Sequence, residues 1–95
     1  PSPPYKGSRV TKPIRAHLAS LKSKMGAKRE WEALSQKYVG LLSGVTGHIK
    51  EVNLPRKGRY FRVFAGNFSS LTGASAFCDV MKERKQYCVP MLVNE

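Results

Sequence analysis

No apolar run in the chain approaches the roughly 18 residues of a membrane-spanning helix. No secretory leader is visible, and the opening "PSPPYKGSRV" reads as a cut inside a Pro-rich linker, so a fragment of a longer protein is expected. Acidic residues are scarce: residues 1–29 hold eight Lys and Arg without one Asp or Glu, and the net charge is +11. The six carboxylates are scattered: Glu30 and Glu32 do not share a helix face, and Glu51 has no acidic partner. Neither a nucleophile–base constellation nor a glycine-rich phosphate loop occurs, so the domain is expected to be non-catalytic and to need no cofactor. Cysteine is nearly absent too. Cys78 and Cys88, with His17 and His48 far off in sequence, do not make a zinc pattern; they are free thiols or one disulfide.

The 95 residues, 41% hydrophobic, suffice for one domain with one modest core. Its positive balance favours polyanions: nucleic acid, acidic lipid or an acidic cell-surface polymer. Residues 1–12, rich in Pro, Ser, Gly and Lys, read as a basic arm, and the folded domain as 13–93. "PIRAHLAS" alternates as a half-buried strand, with Ile14, Ala16 and Leu18 on one face and Arg15, His17 and Ala19 on the other. After a turn at 21–28, a helix over about 27–42 carries Ala27, Trp31, Leu34, Tyr38 and Leu41/Leu42 on its apolar side, ended by Gly44 and Gly47. "HIKEVNL" and "YFRVFAG" are strands joined by the turn "PRKGR", and a second helix spans about 72–84. The last strand, "YCVPMLV", belongs at an edge or carries a bulge, because Pro90 cannot donate to a ladder.

The order is β-α-β-β-α-β, and its halves repeat at an offset of 47: Leu21 with Phe68, Ser23 with Ser70, Gly26 with Gly73, Ala27 with Ala74, Leu34 with Met81. A β-α-β unit used twice predicts a ferredoxin-like α+β fold, a four-stranded antiparallel sheet with two helices on one face. Strands one and three then sit in the middle, and the uncovered face presents Arg15, His17, Tyr60, Arg62 and Phe64 together. Ser20 and Asn67 fall at the strand-to-helix turns, where they are candidate hydrogen-bonding or capping residues.

An aromatic open sheet is also how single-stranded RNA is stacked. "KGRYFRVF" begins like the third-strand motif of RNA-recognition domains, but three constrained positions fail. The motif's stacking places fall on Arg59 and Phe61, the face turned to the core, and "RAHLAS" offers no stacking aromatic. RNA binding is the alternative reading.

From residue 13 to 93 the chain resembles the SPOR (sporulation-related repeat) domain, a bacterial peptidoglycan-binding module. The likeness is carried by "H-L-A-S-L-x-S", by "A-x-x-x-W-x-x-L", and by "I-x-x-V-x-L-x-x-x-G-x-Y-F-R-V-x-A-G-x-F-S-S" with its following helix. The resemblance implies binding to peptidoglycan glycan strands, typically those without stem peptides; the fragment itself is expected to be a monomer and to contact no membrane, whether or not its parent is anchored. The implied location is the periplasm or cell envelope at the division septum, where the module would localise a parent cell-wall or cell-division protein. The family's usual strand-one motif is Gln-x-x-Ser; this chain has His17-x-x-Ser20. The implied site comprises His17, Ser20, Tyr60, Arg62, Phe64, Arg15 and Asn67, the aromatics lying on sugar C–H faces and the guanidinium groups on muramoyl carboxylates. An oxidising periplasm would favour a Cys78–Cys88 bridge.

Overall fold

The computed structural model describes residues 13–93, so the arm at 1–12 lies outside the described residues. The elements are β1 (Ile14–Leu21), α1 (Lys24–Lys37), α2 (Val39–Leu42), β2 (Gly47–Leu54), β3 (Gly58–Phe68), α3 (Leu71–Glu83) and β4 (Val89–Leu92). The sheet runs β2-β3-β1-β4 with every neighbouring pair antiparallel. β1 and β3 are central, and β4, with Pro90, is at an edge.

All three helices pack on one side. Ala16, Leu18 and Ala65 of the central strands meet Leu34, Tyr38 and Leu42 of α1–α2 and Cys78 and Met81 of α3, with Trp31, Phe68 and Phe77 around them. The twofold repeat is visible in the caps. Ser23 accepts from the Gly26 amide at 2.9 Å, and Ser70 accepts from the Gly73 amide at 3.0 Å. Ala27 and Ala74 are both fully buried where each helix meets the sheet.

Three expectations are corrected. The first helix begins at Lys24, inside the stretch 21–28 read as a turn, because Ser23 supplies its cap. It does not run unbroken to 42: Tyr38 leaves helical geometry (φ −117°, ψ 45°), giving two helices where one was expected. Gly47 is not a helix stop. It opens β2 directly beneath Trp31, where an added Cβ would fall within 2.3 Å of the indole.

Cys78 of α3 is bonded to Cys88, just ahead of β4, with their Cα atoms 5.0 Å apart. The bond holds the four-residue β4 onto α3.

Candidate functional site

The strand registers assemble the sheet face opposite the helices row by row, because directly paired residues share a face. Lys50, Arg62 and Ser20 form one row across β2, β3 and β1. The next contains His48, Phe64, His17 and Val89, and beyond it Arg15 lies beside Met91. Tyr60 pairs with Val52 at the far end.

Two β-bulges decide which polar residues reach this face. The first, between His17 and Ala19, places an extra residue in β1 and shifts the alternation by one. Ser20 thereby pairs with Arg62, and Ala19 pairs with Val63 on the helix side, contrary to simple alternation. The second lies in β3 between Ala65 and Phe68, at Gly66, whose φ of +69° glycine alone adopts readily. It turns Phe68 toward the core and Asn67 toward Arg15. Ser20 and Asn67 are therefore strand residues, not turn residues.

All seven residues expected from the sequence share this face, at different depths. Phe64 is 2% exposed, so it floors the site and is not an open aromatic platform. His17 (6%) and Arg15 (7%) are also sunk into the sheet. Tyr60 and Arg62 are half-buried; Ser20 and Asn67 are exposed. Tyr60 carries the Lys22 ammonium 5.7 Å from its ring centroid.

His17 is the hub. Its ring lies 5.4 Å from Phe64 and 5.5 Å, edge-on, from Tyr87. Nε2 is 3.0 Å from the Ala19 carbonyl oxygen and 3.1 Å from Ser20 Oγ. A carbonyl only accepts, so Nε2 carries the proton in the neutral ring and Nδ1 is left as an acceptor. Nδ1 is buried without a partner. Burial and, second, the charge of Arg62 hold His17 below its ordinary pKa, against the Ala19 hydrogen bond that raises it. His17 thus acts as a neutral tie that fixes the first bulge and orients Ser20.

The two arginines of the face are placed alike and engaged differently. Arg15 donates from Nε to Asn67 Oδ1 at 3.0 Å. By the repeat, Arg62 corresponds to Arg15 and Ser20 to Asn67, but Ser20 Oγ already meets His17. Arg62 Nε is buried with no hydrogen-bond partner.

Sequence reasoning missed the residues that β2 and the β4 end bring to this face, among them His48, Lys50, Val52, Tyr87, Val89 and Met91. The alternation of "HIKEVNL" put Lys50 on the face of His48 and Val52 and was signal enough, given the side. Nothing in the sequence shows that Tyr87, 55% exposed, folds over His17.

A family model for the SPOR domain matches residues 12–94. The chain belongs to the SPOR domain family. This SPOR domain is 31% identical over 75 residues to Uncharacterized protein RP066 of Rickettsia prowazekii (strain Madrid E), covering 79% of this chain and 34% of that protein. The chain therefore spans about a third of the length of that relative. Its fold matches the solution structure of the peptidoglycan binding domain of the B. subtilis cell wall lytic enzyme CwlC. The TM-score is 0.57 over 94% of this chain and 99% of that one, at 18% identity, a likeness of fold. Among the described residues no helix is long and apolar enough to cross a membrane.

Proposed function

We infer that this SPOR domain is a non-catalytic module that binds peptidoglycan glycan strands on the sheet face opposite its helices. On this reading it brings a larger cell-envelope protein to septal wall whose stem peptides have been removed. The observation that carries it is the pair of bulges. They bring Ser20 and Asn67 onto the face that already holds Tyr60 and Arg62, so an aromatic surface and several donors lie together. Sugar rings need that combination: C–H faces to lie on an aromatic ring, and hydroxyl, acetamido and carboxylate groups to meet polar side chains. Membership of the family and the likeness to a peptidoglycan-binding domain support the same ligand. The burial of Phe64 argues against the RNA alternative, since it removes an aromatic from the surface available for base stacking.

Co-sedimentation with purified sacculi tests this. The domain is expected to pellet with sacculi at moderate salt, and more after amidase removes the stem peptides. No retention, with tight binding to single-stranded RNA instead, would reject it.

A further inference from the structure

Of the aromatics gathered on the ligand face, the most exposed is not part of the sheet. Phe64 is 2% exposed, and Tyr60 is half-buried with the Lys22 ammonium over its ring, whereas Tyr87 is 55% exposed. Tyr87 stands in the link between α3 and β4, two residues before Val89, which pairs with His17. Its ring meets His17 edge-on at 5.5 Å, on the ligand side of β1. Cys88, the next residue, goes the other way: it is 1% exposed and bonded to Cys78 of α3. A covalent tether to the helix layer therefore lies directly behind Tyr87. The other ties nearby are weak. Gln86 Nε2 donates to the Leu18 carbonyl at 3.1 Å, and β4 is a four-residue edge strand whose Pro90 cannot donate to the ladder.

We propose that oxidation of Cys78 and Cys88 completes the ligand face: the bond holds Tyr87 over His17 as an aromatic wall for a sugar ring, and the dithiol form binds glycan more weakly. The proposal rests on the glycan reading and deepens it by naming what conditions the site. The chemistry is thiol–disulfide exchange with an external dithiol. One thiolate of the reagent attacks a sulfur of the pair, the Sγ–Sγ bond breaks, and the other cysteine leaves as a thiolate. The reagent's second thiol then displaces the first cysteine. Two electrons and two protons have passed to Cys78 and Cys88, and the reagent has become a disulfide. The reverse exchange, with a disulfide oxidant, closes the bond in an oxidising compartment. Both sulfurs are buried, so exchange waits on opening of the short edge strand. The β1–β3 pairing, with Ser20 against Arg62, does not run through the bond, so reduction acts on Tyr87 and β4 and spares the rest of the face.

The test is sacculus co-sedimentation with four proteins: the oxidised chain, the same chain in excess dithiothreitol, the double variant Cys78→Ala with Cys88→Ala, and Tyr87→Ala. Each is assayed at a temperature where circular dichroism shows it folded. The oxidised chain is expected to bind about three- to tenfold tighter than each of the others, the range for an aromatic contact. Tyr87 is exposed, so Tyr87→Ala should melt like the parent, which keeps the test valid if the cysteine variant fails to fold. Reducing Tyr87→Ala should cost no further affinity, because the bond acts through that ring. A ligand-free readout comes from the imidazole protons of His17, which lie in the ring current of Tyr87 and should shift on reduction. Equal binding by folded oxidised and reduced protein, or unmoved His17 resonances, overturns the proposal and leaves the glycan reading intact. Full affinity in Tyr87→Ala, or a further loss when that variant is reduced, also overturns it. Failure of the oxidised chain to pellet with sacculi overturns both.

Discussion

Arg15 and Arg62 stand at equivalent points of the two β-α halves, as do Ser20 and Asn67, and antiparallel pairing of β1 with β3 turns each arginine toward the other half's polar residue. In one pair the contact is made, Arg15 Nε to Asn67 Oδ1 at 3.0 Å. In the other His17 takes the hydroxyl and Arg62 is left with a donor to spare. His17 and Phe64, which pair directly, are themselves twins at the centre of this pseudo-dyad. A duplicated scaffold thus carries one arginine whose Nε is hydrogen-bonded across the halves and one whose buried Nε is not. The difference traces to one imidazole set opposite a phenyl ring.

The halves differ on the helix side as well. Where α1 has Trp31, α3 has Cys78, and where α2 has Leu41, the approach to β4 has Cys88. One half is held by an indole over Gly47, the other by a covalent bond. Removing each device measures what it contributes. Trp31→Ala should destabilise by about 3 kcal/mol in urea unfolding, the low end for losing a large aromatic because Trp31 is only partly buried. Cys78→Ala with Cys88→Ala should cost about 2–3 kcal/mol. Hydrogen exchange should show β4 losing protection before β1 and β3, since β4 is short and at an edge.

The caps are the control, being the same in both halves. Ser23→Ala and Ser70→Ala should each cost about 1 kcal/mol, and unequal costs would show that the halves are less alike than their geometry.

A smaller effect isolates His17. Its folded pKa lies below its unfolded value, so the unfolded chain takes up the proton first. Stability should therefore fall as pH drops below about 6.5, until the folded-state pKa is passed. Thermal melts of His17→Gln should show a flatter profile over that window. An unchanged slope would mean that the imidazole is not what titrates. Gln is the family's usual residue there and can still donate to Ala19, so the variant should keep its glycan binding.

Much of this was legible in the residues. Alternation of "YFRVF" against "IRAHL" gave the strand faces, and the β-α-β-β-α-β order with its offset of 47 gave the central placing of β1 and β3, though not the cap at Ser23. The two bulges were not legible, because a single extra residue in a strand leaves the local pattern intact and shows only in the register with a partner. Ser20 and Asn67 were therefore read as turn residues and Ala19 as outward. Depth was hidden too. Alternation tells which face Phe64 is on, but not that the sheet, its twin His17 and the neighbouring strands bury it. Nor does the helical pattern show that Tyr38, an apolar-stripe residue, is where the helix breaks.

The central claim is that one arginine holds the sheet and the other meets the ligand. Its most direct test compares Arg15→Ala and Arg62→Ala in the sacculus-binding assay, with thermal melts of both. Arg62→Ala should reduce retention at least tenfold with little change in melting temperature. Arg15→Ala leaves Asn67 without its partner and should cost about 1–3 kcal/mol of stability, while the protein that remains folded still binds. Folded Arg15→Ala that no longer binds, beside Arg62→Ala that does, would contradict the account.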